Sequence, residues 1–419
     1  MKSKVYKKEN DDNDNSQQNE KEEKKGKFKK ITNAFSKSFI PPENSKSSKW
    51  RDLQIRTIWS LIMVISFLII LSLGHVYCAI LVLAIVICIN SELIDISRYK
   101  EKNAEIKNYY LISWGIFLLG IYFLWIKNLK YKLTFLYRFS LTNYLLTYHT
   151  FICFMLYMII FFIFINSLKS GYYRYQFRQF TYNHIIVLIF GVSSSLIINN
   201  IFNGLIWFLL PASCVIVNDI SAYIWGRMFG KHQLTPLSPK KTWEGYIGAL
   251  FTTLLWSYFF SEFLIGYEFM LCPVNQINFI PFNILNMKCN TSKFTSNYRI
   301  IWEIPILGKI AFNLKNIHFH SFAMAMFSSL LAPLGGLFAS AFKRSIKIKD
   351  FADTIPGHGG LTDRMDCQLL NGVFTTVWLY QFVFYDEKKI INNLYKKIDK
   401  MSYTQKEYIY DFLKKNLGF

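Results

Sequence analysis

Long apolar segments without a charged side chain recur throughout this chain, and they restrict its fold more than any other property. Thr57–Leu73 (TIWSLIMVISFLIILSL) and Thr150–Asn166 (TFICFMLYMIIFFIFIN) contain no Asp, Glu, Lys or Arg. As a helix, each is long enough to cross the ~30 Å hydrocarbon core of a bilayer. One such segment could be the buried helix of a soluble protein, but that explanation fails for so many segments in one chain.

Hydropathy predicts about nine spanning helices. They lie near residues 57–73, 76–90, 109–126, 147–167, 185–202, 205–226, 245–265, 321–342 and 366–385. The segments are too long and too unpatterned for a barrel, so only a helical bundle satisfies their backbone N–H and C=O groups in lipid. We therefore predict an all-α polytopic membrane protein.

The chain is strongly basic, with 48 Lys and Arg against 27 Asp and Glu and a formal net charge of +21. Such an excess indicates nucleic acid or acidic lipid as a partner. Here many basic residues lie in the tails and in short loops beside the apolar segments. That placement favours membrane phospholipid headgroups and phosphate-bearing substrates over nucleic acid, which we do not expect to bind.

The charge distribution divides the chain into three parts. Residues 1–50 are predicted to form a disordered basic cytosolic tail, residues 51–385 a transmembrane domain, and residues 386–419 a polar C-terminal tail. Counting Lys and Arg in the loops also assigns four later stretches to the cytosol. These are 91–107, 168–184, 227–244 and 343–365.

Two features belong to the opposite, lumenal side. The loop that holds Lys127, Lys130, Lys132 and Arg138 would face the lumen despite its charge, which is an exception to the counting rule. The predicted lumenal loop at 266–320 contains Cys272, Cys289 and the sequon Asn290-Thr291-Ser292. A disulfide and a glycan are compatible with this location, and so are two free thiols and an unused sequon.

Four polar groups interrupt the apolar pattern, beginning with a pair of acids. Asp363 and Asp366 stand three residues apart, so on a helix both carboxylates can approach one cation. Two hard oxygen ligands with room for phosphate oxygens are typical of Mg²⁺. The alternative is an ordinary acidic helix start that complements the helix dipole.

The second group is His358-Gly359-Gly360, which follows Pro356-Gly357. Glycines let backbone N–H groups approach an anion closely just before a helix begins, although a simple turn would have the same composition. The third group is basic, and comprises Lys343, Arg344, Lys347 and Lys349. These side chains could neutralise phosphates or could only anchor the loop at the membrane.

The fourth group begins with Asp219, an acid inside an apolar segment, where a charge is costly unless a metal or a lysine accompanies it. It continues with Ser238-Pro239-Lys240-Lys241-Thr242-Trp243-Glu244-Gly245, which supplies hydroxyls, two cations and an aromatic ring. An interfacial Trp with anchoring lysines explains the same residues. Taken together, the four groups predict one phosphate and metal site at the cytosolic face.

The run from Ser340 to Asp366 (SAFKRSIKIKDFADTIPGHGGLTDRMD) resembles the signature of the phosphatidate cytidylyltransferases, also called CDP-diacylglycerol synthases, and departs from it at no fixed position. Ser238–Gly245 (SPKKTWEG), Asn218–Tyr223 (NDISAY) and Tyr173–Phe177 (YRYQF) resemble the eukaryotic branch of that family. The resemblance covers most of residues 55–385 and leaves out the N-terminal tail and much of the 266–320 loop.

The resemblance implies that CTP and phosphatidate react to give CDP-diacylglycerol and pyrophosphate at a cytosol-facing site, in the membrane of the endoplasmic reticulum. Asp363 and Asp366 would be catalytic and would bind Mg²⁺ with Asp219, and a second cation, monovalent or divalent, is compatible. Lys349 and Asp350 complete the expected catalytic set. The residues expected to bind substrate are Lys343, Arg344, His358, Gly359, Gly360, Ser238, Lys240, Lys241 and Arg364. A homodimer is compatible with the sequence.

Two alternative functions stay open at this point. A CTP-dependent lipid kinase, such as a polyprenol kinase, would transfer the γ-phosphate and release CDP. A transporter or channel would use Asp219 and the lysines to line an ion path, and would not consume CTP.

Overall fold

The structure is a computed structural model, and it describes residues 47–98, 108–133, 137–236, 238–274, 276–277, 279–282, 284, 287–304, 308–352, 354–355, 359–384, 394–395, 397–399 and 401–417. The chain divides into two units, Met1–Leu61 and Ile62–Phe419, and every interaction discussed below lies within the second unit. Residues 1–46 of the predicted basic tail fall outside the described residues.

Helices make up most of the described chain. In order, the elements are α1 (Ser47–Leu73), α2 (His75–Arg98), α3 (Tyr109–Leu129), α4 (Ser140–Thr147), α5 (His149–Asn166), α6 (Tyr173–Ile186), a π-helical turn (Val187–Gly191), α7 (Val192–Phe202), α8 (Ile206–Phe229), β1 (Gln233–Thr235), β2 (Ser238–Thr242), α9 (Trp243–Ile265), α10 (Glu268–Leu271), α11 (Ser292–Thr295), β3 (Asn297–Ile304), β4 (Gly308–Lys315), α12 (Asn316–Leu330), α13 (Pro333–Ser345), α14 (Thr362–Trp378), a second π-helical turn (Leu379–Val383) and α15 (Tyr403–Leu417).

Eight helical stretches of the described chain are long and apolar enough to cross a membrane. They are Gln54–Leu73, His75–Ser97, Tyr109–Leu129, His149–Asn166, Tyr173–Phe202, Ile206–Phe229, Trp243–Ile265 and Asn316–Ser345. Each coincides with one of the first eight segments that hydropathy predicts. The predicted fold class, an all-α polytopic membrane protein, is therefore confirmed.

The ninth predicted segment, 366–385, is helical as α14 and its π-helical turn, but it is too polar to count among the eight. Its polar groups form hydrogen bonds with neighbouring helices. Asn371 Nδ2 donates to the carbonyl of Pro211 in α8 and to Ser328 Oγ in α12, each at 2.8 Å. Asn200 Nδ2 in α7 donates to the carbonyl of Gly372 at 2.9 Å. Such interhelical hydrogen bonds allow a polar helix to sit inside a membrane bundle.

The strands form two antiparallel hairpins, one at each end of α9. The β1–β2 hairpin, in which Thr235 pairs with Ser238, leads directly into α9. The β3–β4 hairpin lies in the predicted lumenal loop, beyond the end of α9, and pairs Asn297 with Lys315. Because a helix rises about 1.5 Å per residue, the 23 residues of α9 separate the two ends by roughly 34 Å.

The loop after α9 is held by a disulfide and by a lysine. Cys272 and Cys289 are bonded, with their Cα atoms 5.6 Å apart, which resolves the choice between a disulfide and free thiols. Lys132 Nζ donates to the carbonyl of Val274 at 2.5 Å, and the carbonyl of Lys132 accepts from Ile277 N at 3.0 Å. Burial lowers the pKa of Lys132. One of the basic residues that oppose the charge-counting rule therefore has a structural role.

Candidate active site

Three parts of the chain build the candidate site: the end of α13 with the loop that follows it, the first turn of α14, and the segment that joins α8 to α9 through β2. Helix α14 packs against both α13 and α8, so it brings the first part to the third. The local structure of each part determines where its charged side chains lie.

Helix α13 ends in a turn that directs the signature loop back towards the helix. Ile348 N donates to the carbonyl of Lys343 at 3.0 Å, and Lys347 N donates to the carbonyl of Arg344 at 3.1 Å. This pair of bonds is a Schellman motif, which requires a left-handed residue after the helix. Lys347 occupies that position with φ of 60°. Its backbone conformation, rather than its charge, is therefore its visible contribution.

We expect Lys347→Gly to raise the free energy of unfolding by about 1 kcal/mol, because glycine adopts the left-handed conformation without the Cβ clash. Urea or thermal unfolding of the protein in detergent measures this change. Lys349→Gly is the matched control, since it adds the same backbone freedom two residues later, at a residue without positive φ. A Lys347→Gly protein that is no more stable than the Lys349→Gly protein would contradict this prediction.

The first charged pair joins α13 to α14. Lys343 Nζ donates to Asp363 Oδ1 at 2.5 Å, and both side chains are largely shielded from solvent, with 15% and 11% exposed. Asp363 Oδ2 accepts a second hydrogen bond from Phe351 N at 3.0 Å. Both oxygens of this acid therefore have donors from the protein. The sequence predicts that Lys343 binds a substrate phosphate and that Asp363 binds a metal ion. In the structure these two side chains form an ion pair with each other.

The second acid of the pair, Asp366, faces the glycines of α13. A Cβ built on Gly336 would lie 3.4 Å from Asp366 Oδ2 and 3.7 Å from Lys241 Nζ. The carboxylate and the ammonium therefore both lie beside α13 at Gly336. Asp366 Oδ1 accepts from Cys367 N at 2.7 Å, which fixes the orientation of the carboxylate.

Asp219 reaches the same place from α8. Its side chain is exposed, and it interacts electrostatically with Lys241, Asp366 and Arg364. Asp366 in turn interacts with Lys241 and Asp363. The acids of α8 and α14 and the lysine of β2 therefore lie close enough to interact electrostatically, although 147 positions of sequence separate Asp219 from Asp366.

Lys241 is positioned by the way the β1–β2 hairpin enters α9. Thr242 caps the helix, because its Oγ1 accepts from Gly245 N at 3.2 Å. Glu244 reaches back to the start of the hairpin, where its carboxylate accepts from Lys231 N at 3.1 Å and His232 Nδ1 at 2.6 Å. These bonds tie the strand that carries Lys241 to the first turn of α9.

Two described residues of the glycine-containing part of the signature, Ile355 and Gly359, pair with each other shortly before α14 begins. Ile355 and Gly359 exchange backbone hydrogen bonds of 3.0 and 3.1 Å, and Gly359 has φ of +82°, where side chains are strained. Gly360 packs tightly: a Cβ there would lie 2.9 Å from Ala352 N and 3.2 Å from Asp363 Oδ2. The residues between Ile355 and Gly359, including His358, lie outside the described residues.

The sequence reasoning missed Glu92 of α2, a buried acid that accepts hydrogen bonds from this loop and from the first residue of α14. The signal was an acid next to an apolar run, the same signal that singles out Asp219. The predicted span ends at residue 90, which leaves Glu92 in a cytosolic loop, where an acid is ordinary.

The remaining predicted residues lie around this centre. Arg344, Lys349, Asp350 and Arg364 are exposed. Asp350 lies next to Gly359, since a Cβ built on that glycine would be 3.9 Å from the Cβ of Asp350. Ser238 is half-buried in β2, and the side chain of Lys240 lies outside the described part of the chain.

The acids do not form a ready-made metal cage: the described residues contain no group of three or more His, Cys, Asp or Glu placed to hold one ion. Asp219 and Asp366 nevertheless suit Mg²⁺. This ion commonly takes one or two protein carboxylates and fills its other positions with water and substrate phosphate. The two acids repel each other electrostatically, and a cation between them would remove that repulsion.

Comparison with known proteins gives this geometry a context. The sequence model of the Cytidylyltransferase family matches residues 54–382, which contain all of the elements that build the site. The chain belongs to the cytidylyltransferase family. The resemblance seen in the signature between Ser340 and Asp366 is thereby confirmed.

The relatives of this cytidylyltransferase share most of its length. It is 39% identical over 346 residues to a Saccharomyces cerevisiae protein named phosphatidate cytidylyltransferase, covering 81% of this chain and 75% of the relative. It is 39% identical over 341 residues to human phosphatidate cytidylyltransferase 2, covering 80% and 76%. A Schizosaccharomyces pombe protein named putative phosphatidate cytidylyltransferase is 36% identical over 359 residues, covering 84% and 80%.

Proposed function

We propose that this protein transfers CMP from CTP to phosphatidate in phospholipid synthesis, forming CDP-diacylglycerol and releasing pyrophosphate. The observation that carries the proposal is the electrostatic interaction of Asp219, Lys241 and Asp366, which come from α8, β2 and α14; the last two also lie together beside Gly336. The Lys343–Asp363 pair links the same turn of α14 to α13. The names of the relatives support the same substrates.

The chief physical obstacle to this reaction is repulsion between two polyanions. Like unit charges about 4 Å apart repel by roughly 4 kcal/mol at an effective dielectric constant of 20. Lys343 places positive charge beside Asp363, and Lys241 places it beside Asp366; this charge offsets that repulsion and can hold phosphate oxygens. The phosphate of phosphatidate is already ionised, so it can attack the CTP α-phosphate without a protein nucleophile.

Asp219 and Asp366 are the residues that would hold Mg²⁺. When bound, this ion supplies charge stabilisation at the α-phosphate and at the departing pyrophosphate. Asp363 stays in the predicted metal set, although in this structure its carboxylate orients Lys343 and accepts from Phe351 N. It keeps the Lys343 ammonium beside the acids of the site.

The position of the site along α9 suits a lipid headgroup. Lys241 precedes the first residue of α9, Trp243, by two positions, and the Trp243 side chain is 49% exposed. Tryptophan is enriched at the membrane–water interface. Phosphatidate could therefore keep its acyl chains among the helices while its phosphate meets CTP from the water.

We further propose that the site faces the cytosol and that the membrane is the endoplasmic reticulum. The Cys272–Cys289 disulfide follows the far end of α9, about one membrane thickness away from Lys241. Disulfides persist in oxidising compartments such as the lumen of the endoplasmic reticulum. A disulfide at one end of α9 thus supports a cytosolic position for the other end.

Product analysis tests the proposed reaction. Full-length protein in detergent is incubated with phosphatidate, Mg²⁺ and CTP labelled either in the α- or in the γ-phosphate. We expect the α-label to appear in lipid and the γ-label to appear in pyrophosphate. Transfer of the γ-label to lipid with release of CDP would identify a lipid kinase instead. Ion flux in vesicles without consumption of CTP would identify a transporter.

A further inference from the structure

Glu92 lies in α2, far along the chain from the signature at Ser340–Asp366. Its carboxylate nevertheless accepts hydrogen bonds from residues of that signature. The residue is 7% exposed. Its Oε1 accepts from Leu361 N at 2.8 Å and from Thr354 Oγ1. Its Oε2 accepts from Thr362 N at 3.0 Å and Thr362 Oγ1 at 2.7 Å. Four donors, all within residues 354–362, thus converge on one side chain of another helix.

Two of these donors are backbone groups that α14 cannot satisfy by itself. The first N–H groups of a helix lack partners within the helix, and a side chain at the N-cap position normally accepts from them. Here the N-cap residue is Leu361, which has no polar side chain, and no side-chain cap is present. Glu92 therefore serves as the cap of α14 from a separate helix, with a negative charge where the helix dipole favours one.

The cap lies immediately next to the two acids of α14 that belong to the candidate site. Asp363 follows Thr362 directly, and Asp366 follows one turn later. A Cβ built on Gly360 would lie 3.2 Å from Glu92 Oε2 and also 3.2 Å from Asp363 Oδ2. The two carboxylates thus flank the same glycine, and a shift of Glu92 moves the start of α14 and the loop together.

We propose that Glu92 is a positioning residue for CMP transfer: it holds the start of α14, and with it Asp363 and Asp366, in place against Lys343 and Lys241. The inference rests on the proposed function, because it names the residue that orients the acids of that site. Glu92 touches neither acid directly and acts through Leu361, Thr362 and Thr354. Charge-assisted hydrogen bonds of this kind are among the strongest in proteins.

The test compares Glu92→Gln with Asp95→Asn, a matched loss of one negative charge at an exposed residue of the same helix. An amide at position 92 retains one acceptor oxygen and turns an NH₂ group towards donors, so at least one backbone N–H loses its partner. We expect kcat for CMP transfer to fall by about 10- to 100-fold in Glu92→Gln, the range typical when a group that orients the residues of a metal site is lost. We expect Asp95→Asn to stay within about twofold of the wild type, since an exposed charge contributes little.

Two further kinetic measurements distinguish a positioning role of Glu92 from a general loss of folding. The KM values for CTP and phosphatidate should change by less than about threefold in Glu92→Gln, because Glu92 does not contact substrate, whereas kcat per folded molecule falls. Thr362→Val, which removes one hydroxyl donor and is milder, should lower kcat in the wild-type background. It should have a much smaller effect in the Glu92→Gln background, because the hydroxyl that it removes donates to the Glu92 carboxylate.

Hydrogen exchange gives a readout that does not depend on turnover. We expect the amides of Leu361 and Thr362 to exchange faster in Glu92→Gln than in the wild type, and the amides of α8 and α9 to exchange equally in both. If the wild type transfers no CMP, the proposed function fails, and exchange alone decides whether Glu92 holds the loop. Unchanged exchange at Leu361 and Thr362, or an unchanged kcat in both Glu92→Gln and Thr362→Val, would overturn the inference.

Discussion

Purified Asp366→Asn protein should transfer CMP at least about a thousandfold more slowly than the wild type, while its insertion and folding stay intact. Asn keeps the shape of the side chain and can still accept from Cys367 N, as Asp366 Oδ1 does at 2.7 Å. It removes the negative charge that lies with Lys241 in the space beside Gly336 and faces Asp219. Losing one preorganised electrostatic group commonly lowers kcat by about 10²- to 10³-fold, and a lost metal ligand adds to that.

The measurement is the initial rate of CMP transfer from labelled CTP to phosphatidate in mixed micelles, at saturating substrate and at several Mg²⁺ concentrations. Asp411→Asn is the control, since it makes the same exchange at an exposed residue of α15 and should leave the rate unchanged. The thermal unfolding temperature of both proteins should match that of the wild type. A rate within about tenfold of the wild type in Asp366→Asn would remove Asp366 from the metal and catalytic assignments.

The membrane fold was largely predictable from the sequence, because the hydropathy of a segment depends only on the residues of that segment. Eight of the predicted segments correspond to helices that are apolar enough to span. The helix that begins at Thr362 is harder to recognise, since Asn371 and its neighbours reduce its hydropathy. The Asn371 amide nitrogen donates to Pro211 and Ser328 of other helices, and a sequence does not reveal which helices are neighbours.

The residues of the site were predictable for a different reason, which is that the signature places most of them within 27 consecutive positions. Their pairing was not predictable. The i and i+3 spacing of Asp363 and Asp366 indicates a shared cation, whereas the structure pairs Asp363 with Lys343 of the preceding helix. Whether two side chains meet depends on how α13 packs on α14, and Gly335 permits that close approach, because a Cβ there would lie 2.9 Å from the carbonyl oxygen of Asp366.

Glu92 and Lys132 illustrate the same limit. Each is a charged residue beside an apolar segment, and a rule that counts charges treats both as loop residues. In the structure Glu92 accepts from the start of α14, and Lys132 donates to the carbonyl of Val274. A charged side chain close to a membrane span can form hydrogen bonds with backbone groups that are distant in the sequence. Neither hydropathy nor charge counting detects such bonds.

Removing the charge of Lys343 should have the second large effect, and it should act on stability and on catalysis separately. Lys343→Met keeps the length of the side chain but leaves Asp363 without its 2.5 Å partner in a site where that carboxylate is 11% exposed. Breaking one half of a shielded ion pair commonly destabilises a protein by about 3–5 kcal/mol. The same change removes a cation that we assign to a substrate phosphate, so kcat/KM should fall by at least about a hundredfold.

The double variant Lys343→Met/Asp363→Asn distinguishes the two effects. Without its charge, the residue at position 363 no longer needs a cation, so the double variant should recover most of the stability that Lys343→Met loses. Its kcat/KM should stay at or below the value of the single variant, because neither the cation nor the acid is restored. Lys414→Met, at an exposed residue of α15, controls for loss of a positive charge and should match the wild type in both measurements. Recovery of activity together with stability would mean that the Lys343–Asp363 pair serves the fold alone, and the phosphate assignment of Lys343 would then be wrong.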